Sequence, residues 1–291
     1  ALLICVNICC LFVVKGLNVD NTNEPLVIYG GYSNNGNAEN NRVNISGLVQ
    51  LKGLNVDNTN EPLVIYGGVA KKEAIGNTVI INNSEIIGLS GKAPDIAGGY
   101  VDGVGKADNN YVAIVDSIVA GKIYGGISMV IPDSDIDNTA LAANTEGSAN
   151  NNTIYIENST VEGTIVAGGN TNTNGEAKNN KIIISGEKTN IESAKLVGTD
   201  ATKINDATKI TGNTLVLDGW SGSATSVAGF DAYSFQNIKN IDDAVLTVNS
   251  ASNIDADTKF DVSFAGSVDL KVGQSIKLIS VNNHVDVIKE I

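Results

Sequence analysis

Short segments in which every second residue is apolar recur along the chain, and each begins directly after an asparagine. In Asn41-Arg-Val43-Asn-Ile45 and in Asn152-Thr-Ile154-Tyr-Ile156, apolar and polar residues alternate. A period of two is typical of β-strands. Six segments share the pattern, and the asparagine before the strand is present in all of them: Asn41, Asn77, Asn110, Asn152, Asn180 and Asn213. Copies of one phrase at spacings of tens of residues predict stacked repeat units.

A second motif is a short apolar strand that ends in a pair of glycines. We expect these pairs to mark tight corners, at which a Cβ atom would clash. The predicted corner glycines are Gly30 and Gly31, Gly67 and Gly68, Gly98 and Gly99, Gly125 and Gly126, and Gly168 and Gly169. The interval between Gly126 and Gly147 is about fifteen residues longer than the corresponding intervals, and we assign the excess to a loop.

Together the two motifs predict an all-β fold, a parallel β-solenoid of the right-handed β-helix type with two or three short strands per coil. Strands stacked ~4.8 Å apart would pair with their copies above and below, and the inward Val, Ile and Leu side chains would form a continuous core. The recurring asparagine would hydrogen-bond to its own copies as a structural ladder. The alternatives are an antiparallel β-sandwich with coincidental repeats and a ligand-binding role for the asparagines.

The repeats divide the chain at the last of these asparagines. Residues 1–213 are predicted to form repeat coils, and residues 214–291, in which larger aromatic side chains replace the Asn motif, to form non-repeat β coils or a cap. Lys15–Gly31 is identical to Lys52–Gly68. At the same offset of 37, Val6 falls on Val43, so residues 1–14 are expected to be a strand of a truncated preceding repeat. A truncated signal peptide is the alternative for this segment.

Composition and charge exclude several classes of function. The net charge is −13, and because an acidic surface repels phosphates, no nucleic-acid partner is expected. All three cysteines lie at Cys5, Cys9 and Cys10, without zinc-site spacing, so no cofactor is expected. A weak calcium candidate lies in the long loop at Asp133, Asp135 and Asp137. It lacks the Gly and Glu of a calcium loop, and a solvated acidic loop is the simpler interpretation.

The motif Ile-Tyr-Gly-Gly followed by Gly-x-Ala-x-Asn-Asn-x-Val-x-Ile resembles repeats in the passenger domains of bacterial autotransporter adhesins. The runs Phe235–Ile238, Ala244–Val248 and Leu270–Ile279 are similar to the end of such passengers. The resemblance implies a β-helical passenger that crosses the outer membrane and is displayed on the bacterial surface or released outside the cell. It also implies a translocator barrel elsewhere in the full-length protein.

The leading functional hypothesis is a non-enzymatic, adhesin-like passenger that presents loops, above all 127–146, to a host-cell surface protein or glycan. A monomer is expected. The alternatives are a carbohydrate-active β-helix enzyme of the polysaccharide lyase or glycosidase type, and a structural spacer. No catalytic residue is assigned; His284, the single histidine, is interpreted as an ordinary surface or strand residue. Trp220, Tyr29, Tyr66 and Tyr124 could contact sugars, although stacking within the scaffold is the simpler role for the tyrosines.

Overall fold

The protein is a parallel β-solenoid, as the repeats predict. The computed structural model describes residues 11–15, 18–19, 27–47, 50–52, 63–87, 94–129, 146–170, 174–201, 204, 206–252, 254, 257–266, 268, 271–282 and 287–290. Each coil contributes strands to parallel sheets that run along the solenoid, and each strand pairs with the equivalent strands of the coils before and after it.

The first sheet contains the strands that follow the repeated asparagines. Its members, in spatial order, are β1 (Leu11–Lys15), β5 (Arg42–Ser46), β9 (Thr78–Asn82), β12 (Tyr111–Val115), β14 (Thr153–Glu157), β16 (Lys181–Ser185), β18 (Thr214–Asp218), β20 (Ala232–Ile238) and β22 (Lys259–Phe264). Their order in space is their order in the chain, so every coil adds one strand to the growing edge.

The second sheet forms the other faces of the coils. It contains β2 (Asn18–Val19), β3 (Val27–Ser33), β6 (Gln50–Lys52), β7 (Val64–Ala70), β10 (Glu85–Ile87), β11 (Asp95–Asp102), β13 (Ile118–Met129), β15 (Thr160–Asn170), β17 (Ile191–Asp200), β19 (Gly222–Ala228), β21 (Leu246–Ala251), β23 (Ser275–Val281) and β24 (Val287–Glu290). The 12-residue β13 pairs with both β10 and β11 of the preceding coil. It therefore continues, as one strand, two segments that are separate strands in that coil.

Two minor elements complete the described fold. A short two-stranded sheet contains β4 (Asn37–Glu39) and β8 (Glu73–Ile75), and single bridges through Lys106, Ser148 and Glu176 continue it along the solenoid. A 3-10 helix spans Ala207–Lys209.

The core is the column of side chains that the alternation turns inward. Val43, Val79, Val112 and Ile154 share one register position in successive coils, and all are fully buried. Burying one such side chain contributes about 1.5–3 kcal/mol, so the repeated pattern is the main source of stability.

Residues 214–282 continue the same sheets with larger core side chains. Tyr233 and Phe235 occupy the register positions of Leu215 and Leu217, and Phe260 lies next to Tyr233 in the following coil. The parallel order ends at β24, which pairs with β23 in the antiparallel direction.

The register predicted for the N-terminus is wrong. Phe12, and not Val6, lies opposite Val43, although residues 11–15 do form a strand of a preceding coil. The offset of 37 holds for β3 and β7, whereas Val19 pairs with Leu51. The connection between β2 and β3 is shorter than the one between β6 and β7, so the two copies of the peptide cannot pair at one offset over their whole length. Residues 1–10, with all three cysteines, lie outside the described residues.

Candidate functional site

The repeated asparagines form one continuous hydrogen-bonded ladder through the solenoid. In each coil the backbone N–H and the side-chain Nδ2 of the asparagine both donate to Oδ1 of the asparagine in the next coil. For Asn110 these bonds to Asn152 Oδ1 measure 2.9 and 3.1 Å. The members of this Asn ladder are Asn41, Asn77, Asn110, Asn152, Asn180 and Asn213, and all are buried. At its end, Asn213 N donates to Asp231 Oδ2 at 2.9 Å.

The side-chain amides of Asn77 and Asn110, in the middle of the Asn ladder, are fully used by the protein. Asn110 Nδ2 also donates to the carbonyl of Ala74 in the preceding coil at 2.8 Å, and Asn110 Oδ1 accepts from the backbone and side chain of Asn77. An amide has two donor hydrogens and two acceptor lone pairs, and all four are satisfied here. At these two positions the ladder uses its amides to hold the coils together, as the structural interpretation predicts.

Backbone geometry explains which residues precede the ladder. Asn40, Asn109, Asn151 and Asn179 have φ angles of 55–57°, in the left-handed region that Asn tolerates. In the other two coils this position is Gly76 or Gly212, with φ of 68° and 78°. Gly replaces the first Asn of the motif because the position requires a positive φ and not an amide.

The clash predicted for a Cβ atom at the glycine pairs is present in the structure. The pairs lie inside strands of the second sheet, with ordinary negative φ, and both members are buried. A Cβ atom on Gly98 would come within 3.0 Å of Gly125 O and of Asn110 Cβ, and one on Gly99 would meet the Asn110 amide. The pair is required by the close approach of the next coil and of the Asn ladder.

One assigned glycine is out of register. Gly126 pairs with Gly168, so Ala167 takes the position of the first glycine and Gly169 lies opposite Ile127. The Cβ of Ala167 is tolerated there, although the same position is Gly125 one coil earlier. Sequence comparison aligned the two glycine pairs directly and missed the one-residue shift.

Two further ladders escaped the sequence analysis. Ser84 N donates to Ser117 Oγ at 3.1 Å, and Ser117 N donates to Ser159 Oγ at 3.0 Å. The sequence signal of this serine ladder is a serine directly after an Asn or Asp with a positive φ angle, as in Asp116-Ser117. The other ladder runs from Asp108 through Asn150, whose backbone N–H donates to Asp108 Oδ1 at 2.7 Å.

Of the aromatic residues assigned as possible sugar contacts, Tyr29, Tyr66 and Trp220 make contacts within the scaffold. Tyr66 stacks between Tyr29 and Tyr100, with ring centroids 5.8 and 4.9 Å away and interplanar angles of 13° and 10°. Both faces of its ring are therefore covered by other rings. Burial raises the pKa of Tyr66 and raises the pKa of Tyr124 to about 12, so both phenols are neutral at physiological pH. Trp220 is 4% exposed, and its Nε1 donates to Thr189 O at 2.8 Å.

A polar groove of about 930 Å³ runs along the outside of the coils, next to the short sheet. Its floor is a column of polar residues in successive coils: Asn37, Glu73, Lys106, Ser148, Glu176 and Lys209. Residues of the turns that follow the glycine strands form a wall: Lys72, Val104, Gly105, Glu146, Gly147 and Asn174. Asp108 and Asn150 complete the lining. At the stacking distance of parallel strands, this floor is roughly 24 Å long.

The charges in the polar groove are compensated within it. Lys106 Nζ lies 3.4 Å from Glu73 Oε1, and Lys178 Nζ lies 2.8 Å from Glu176 Oε1 at the groove edge. The hydrogen bond from Lys178 lowers the pKa of Glu176. Burial raises the pKa of Asp108, against the opposing hydrogen bonds from Asn150 N and Ser148 Oγ.

Several predicted features lie where no side chain is described. Residues 130–145, which include Asp133, Asp135 and Asp137, are outside the described part of the chain, as is His284. Of the assigned loop 127–146, the structure describes residues 127–129 at the end of β13 and Glu146 in the groove wall. Within the described ranges, no three His, Cys, Asp or Glu side chains group as metal ligands, and no helix has the length and hydropathy to span a membrane.

Comparisons with known proteins identify no relative of this chain. No protein-family model, no curated protein and no solved structure matches this chain.

Proposed function

We propose that this chain is a non-enzymatic, adhesin-like passenger that is displayed on the surface of a bacterial cell or released from it. The observation that carries the proposal is the unbroken Asn ladder, which ties six successive coils into one stiff column. A solenoid of this kind presents an extended outer surface whose residues can vary without loss of the core. The resemblance of the repeats to autotransporter passengers supports the same role.

The inward and outward residues of the solenoid have separate tasks. Inward Val and Ile and the buried asparagines hold the coils together, while the outward residues of the short sheet are not needed for the core. Glu73 and Lys106, for example, flank fully buried alanines but point into the polar groove. Partner recognition in this proposal belongs to such outward residues and to the adjoining connections. A translocator barrel elsewhere in the full-length protein would place them outside the cell.

Adhesion of the purified chain to cells tests the proposal. Beads coated with the chain are expected to attach to host-type epithelial cells in larger numbers than beads coated with an equally acidic, non-solenoid protein. Equal attachment of the two bead types would reject the adhesin role and favour the spacer. Protease shaving of intact cells that express the full reading frame tests the location. Loss of the chain from unpermeabilised cells is expected, and full protection would contradict surface display.

A carbohydrate-active enzyme is the second candidate, because two carboxyl groups with opposite pKa shifts line the polar groove. The pKa of Asp108 is raised and that of Glu176 is lowered, which is a pattern of acid and base pairs. Against it, the two residues are two coils apart, roughly 9.6 Å along the axis, at the upper limit of the ~6.5–9.5 Å of inverting glycosidases. Both oxygens of Asp108 also accept hydrogen bonds from the scaffold. Release of reducing ends that is lost in Asp108→Asn would establish the enzyme.

A further inference from the structure

We infer that the polar groove is a binding site for a neutral, hydroxyl-rich chain, namely an extended oligosaccharide that lies parallel to the solenoid axis. This inference rests on the proposed adhesive function and gives it a ligand class and a location. It moves the expected contact surface from the loop 127–146 alone to the groove that the end of this loop, Glu146, helps to line.

The repeat of the groove floor fits a linear polymer. Glu73, Lys106, Ser148 and Glu176 occupy equivalent positions in successive coils, so polar groups recur about every 4.8 Å along the floor. This step is close to the length of one sugar residue in an extended glycan. A ligand with that step can repeat the same contact from coil to coil, whereas a compact ligand would use only one part of the groove.

The electrostatics of the groove favour a neutral ligand over an acidic one. The lining contains four carboxyl groups (Glu73, Asp108, Glu146 and Glu176) and three ammonium groups (Lys72, Lys106 and Lys209). Because these nearly cancel, and because Lys106 is already beside Glu73, no unopposed field attracts a polyanion. The whole chain, with a net charge of −13, adds further repulsion of acidic polymers.

The hydrogen-bonding groups match hydroxyl groups, which both donate and accept. Lys106 and Lys209 offer donors, and Glu73 and Glu176 offer acceptors. Asn37 offers its Oδ1 as an acceptor, because its Nδ2 donates to Glu39 and Glu73. Val104 is 39% exposed in the wall and provides an apolar contact for the C–H face of a sugar ring. The floor offers no open strand edge with which a peptide backbone could pair, because Lys106 N and Ser148 N already donate to neighbouring coils.

Calorimetric titration of the full chain tests the site with defined probes. The neutral probes are cellohexaose, maltohexaose and the hexamer of N-acetylglucosamine. Oligogalacturonate is the acidic probe and a Gly-Ser dodecapeptide is the peptide probe. The groove variant is Glu176→Ala with Lys209→Ala. Its matched control is Glu162→Ala with Lys195→Ala, which alters two exposed strand residues outside the groove lining and leaves the net charge equally unchanged.

We expect at least one neutral hexamer to bind the wild-type chain and the control alike, and the groove variant at least about tenfold more weakly. The dissociation constant should change less than about twofold between low and high salt, since screening acts on charges. The inference is overturned if no neutral hexamer binds, if the groove variant binds as tightly as the control, or if the acidic or peptide probe binds instead. Circular dichroism of both double variants shows whether the coils are intact; if only the groove variant unfolds, Lys106→Gln replaces it under the same criteria.

The bead assay separates this inference from the proposed function. Suppose that beads coated with the groove variant attach to cells as well as beads coated with the wild-type chain, and that the wild-type chain binds no hexamer. This result would be compatible with the adhesin role and would reject the groove as a glycan site. Hexamer binding in the groove without any attachment to cells would support the groove and reject the adhesin role.

Discussion

Replacing Asn110 by alanine removes one complete rung from the Asn ladder. The residue is 1% exposed, and its side chain takes part in four hydrogen bonds. After truncation the backbone N–H of Asn77, one hydrogen of the Asn77 amide and the carbonyl of Ala74 lose this partner. Each buried group left unsatisfied costs about 1–3 kcal/mol, so we expect the free energy of unfolding to fall by about 3 kcal/mol or more.

The matched control is Asn82→Ala. Asn82 is an exposed asparagine at the end of β9 in the coil preceding Asn110, and its change should cost less than about 0.5 kcal/mol. Urea denaturation followed by circular dichroism compares the stabilities of the two variants. Hydrogen exchange of the backbone N–H of Asn77 gives a local measurement. That amide donates to Asn110 Oδ1 at 2.9 Å in the wild type and should lose protection only in Asn110→Ala. Equal stabilities of the two variants, or an unchanged exchange rate at Asn77, would refute a stabilising ladder.

Three other properties follow from the same contacts. Gly98→Ala should destabilise the fold by about 1–3 kcal/mol in thermal denaturation, because its Cβ would meet Asn110 Cβ at 2.8 Å, whereas Gly266→Ala, with open space around it, should not. The raised pKa of Asp108 means that the folded state disfavours its carboxylate. The stability that the protonated Asp108 contributes is therefore present at pH below the usual Asp pKa and is lost as pH rises through the folded pKa. The melting temperature of Asp108→Asn, relative to that of the wild type, should therefore rise from pH 3 to pH 7. A difference that stays constant with pH would contradict this. Trp220 should show blue-shifted fluorescence that acrylamide hardly quenches until the chain unfolds, and strong quenching in the folded state would contradict its burial.

The repeated phrase was sufficient to predict the fold, because its two constant features report core and ladder directly. The alternation around Val43 and Ile45 fixes which side chains face inward, and the buried Asn41 position recurs where a hydrogen-bonded ladder needs it. Identity of sequence was a poorer guide to register. Lys15–Gly31 and Lys52–Gly68 are the same peptide, yet only their glycine strands pair at the offset of 37, whereas Val19 pairs with Leu51 at an offset of 32.

The polar groove could not be predicted in the same way. Its residues share a position in the coil but not a residue type, so Glu73, Lys106 and Ser148 carry no repeated letter. Their common feature is a fully buried alanine at the next position, Ala74, Ala107 and Ala149. That alanine is a constant part of the repeated motif, whereas the residue before it varies from coil to coil. Hydrogen bonds between coils, such as the one from Ser148 Oγ to Asp108 Oδ2 at 2.8 Å, appear only once the register is known.

Spin-label distances along the first sheet test the stacking of the coils most directly. With Cys5, Cys9 and Cys10 replaced by serine, label pairs would join Arg42 to Lys181, to Thr214 or to Lys259. These partners lie four, five and seven coils from Arg42 in one register column. The parallel solenoid predicts backbone separations of about 19, 24 and 34 Å, a steady rise of ~4.8 Å per coil. Distances that fail to increase with coil number, as in an antiparallel sandwich, would contradict the account.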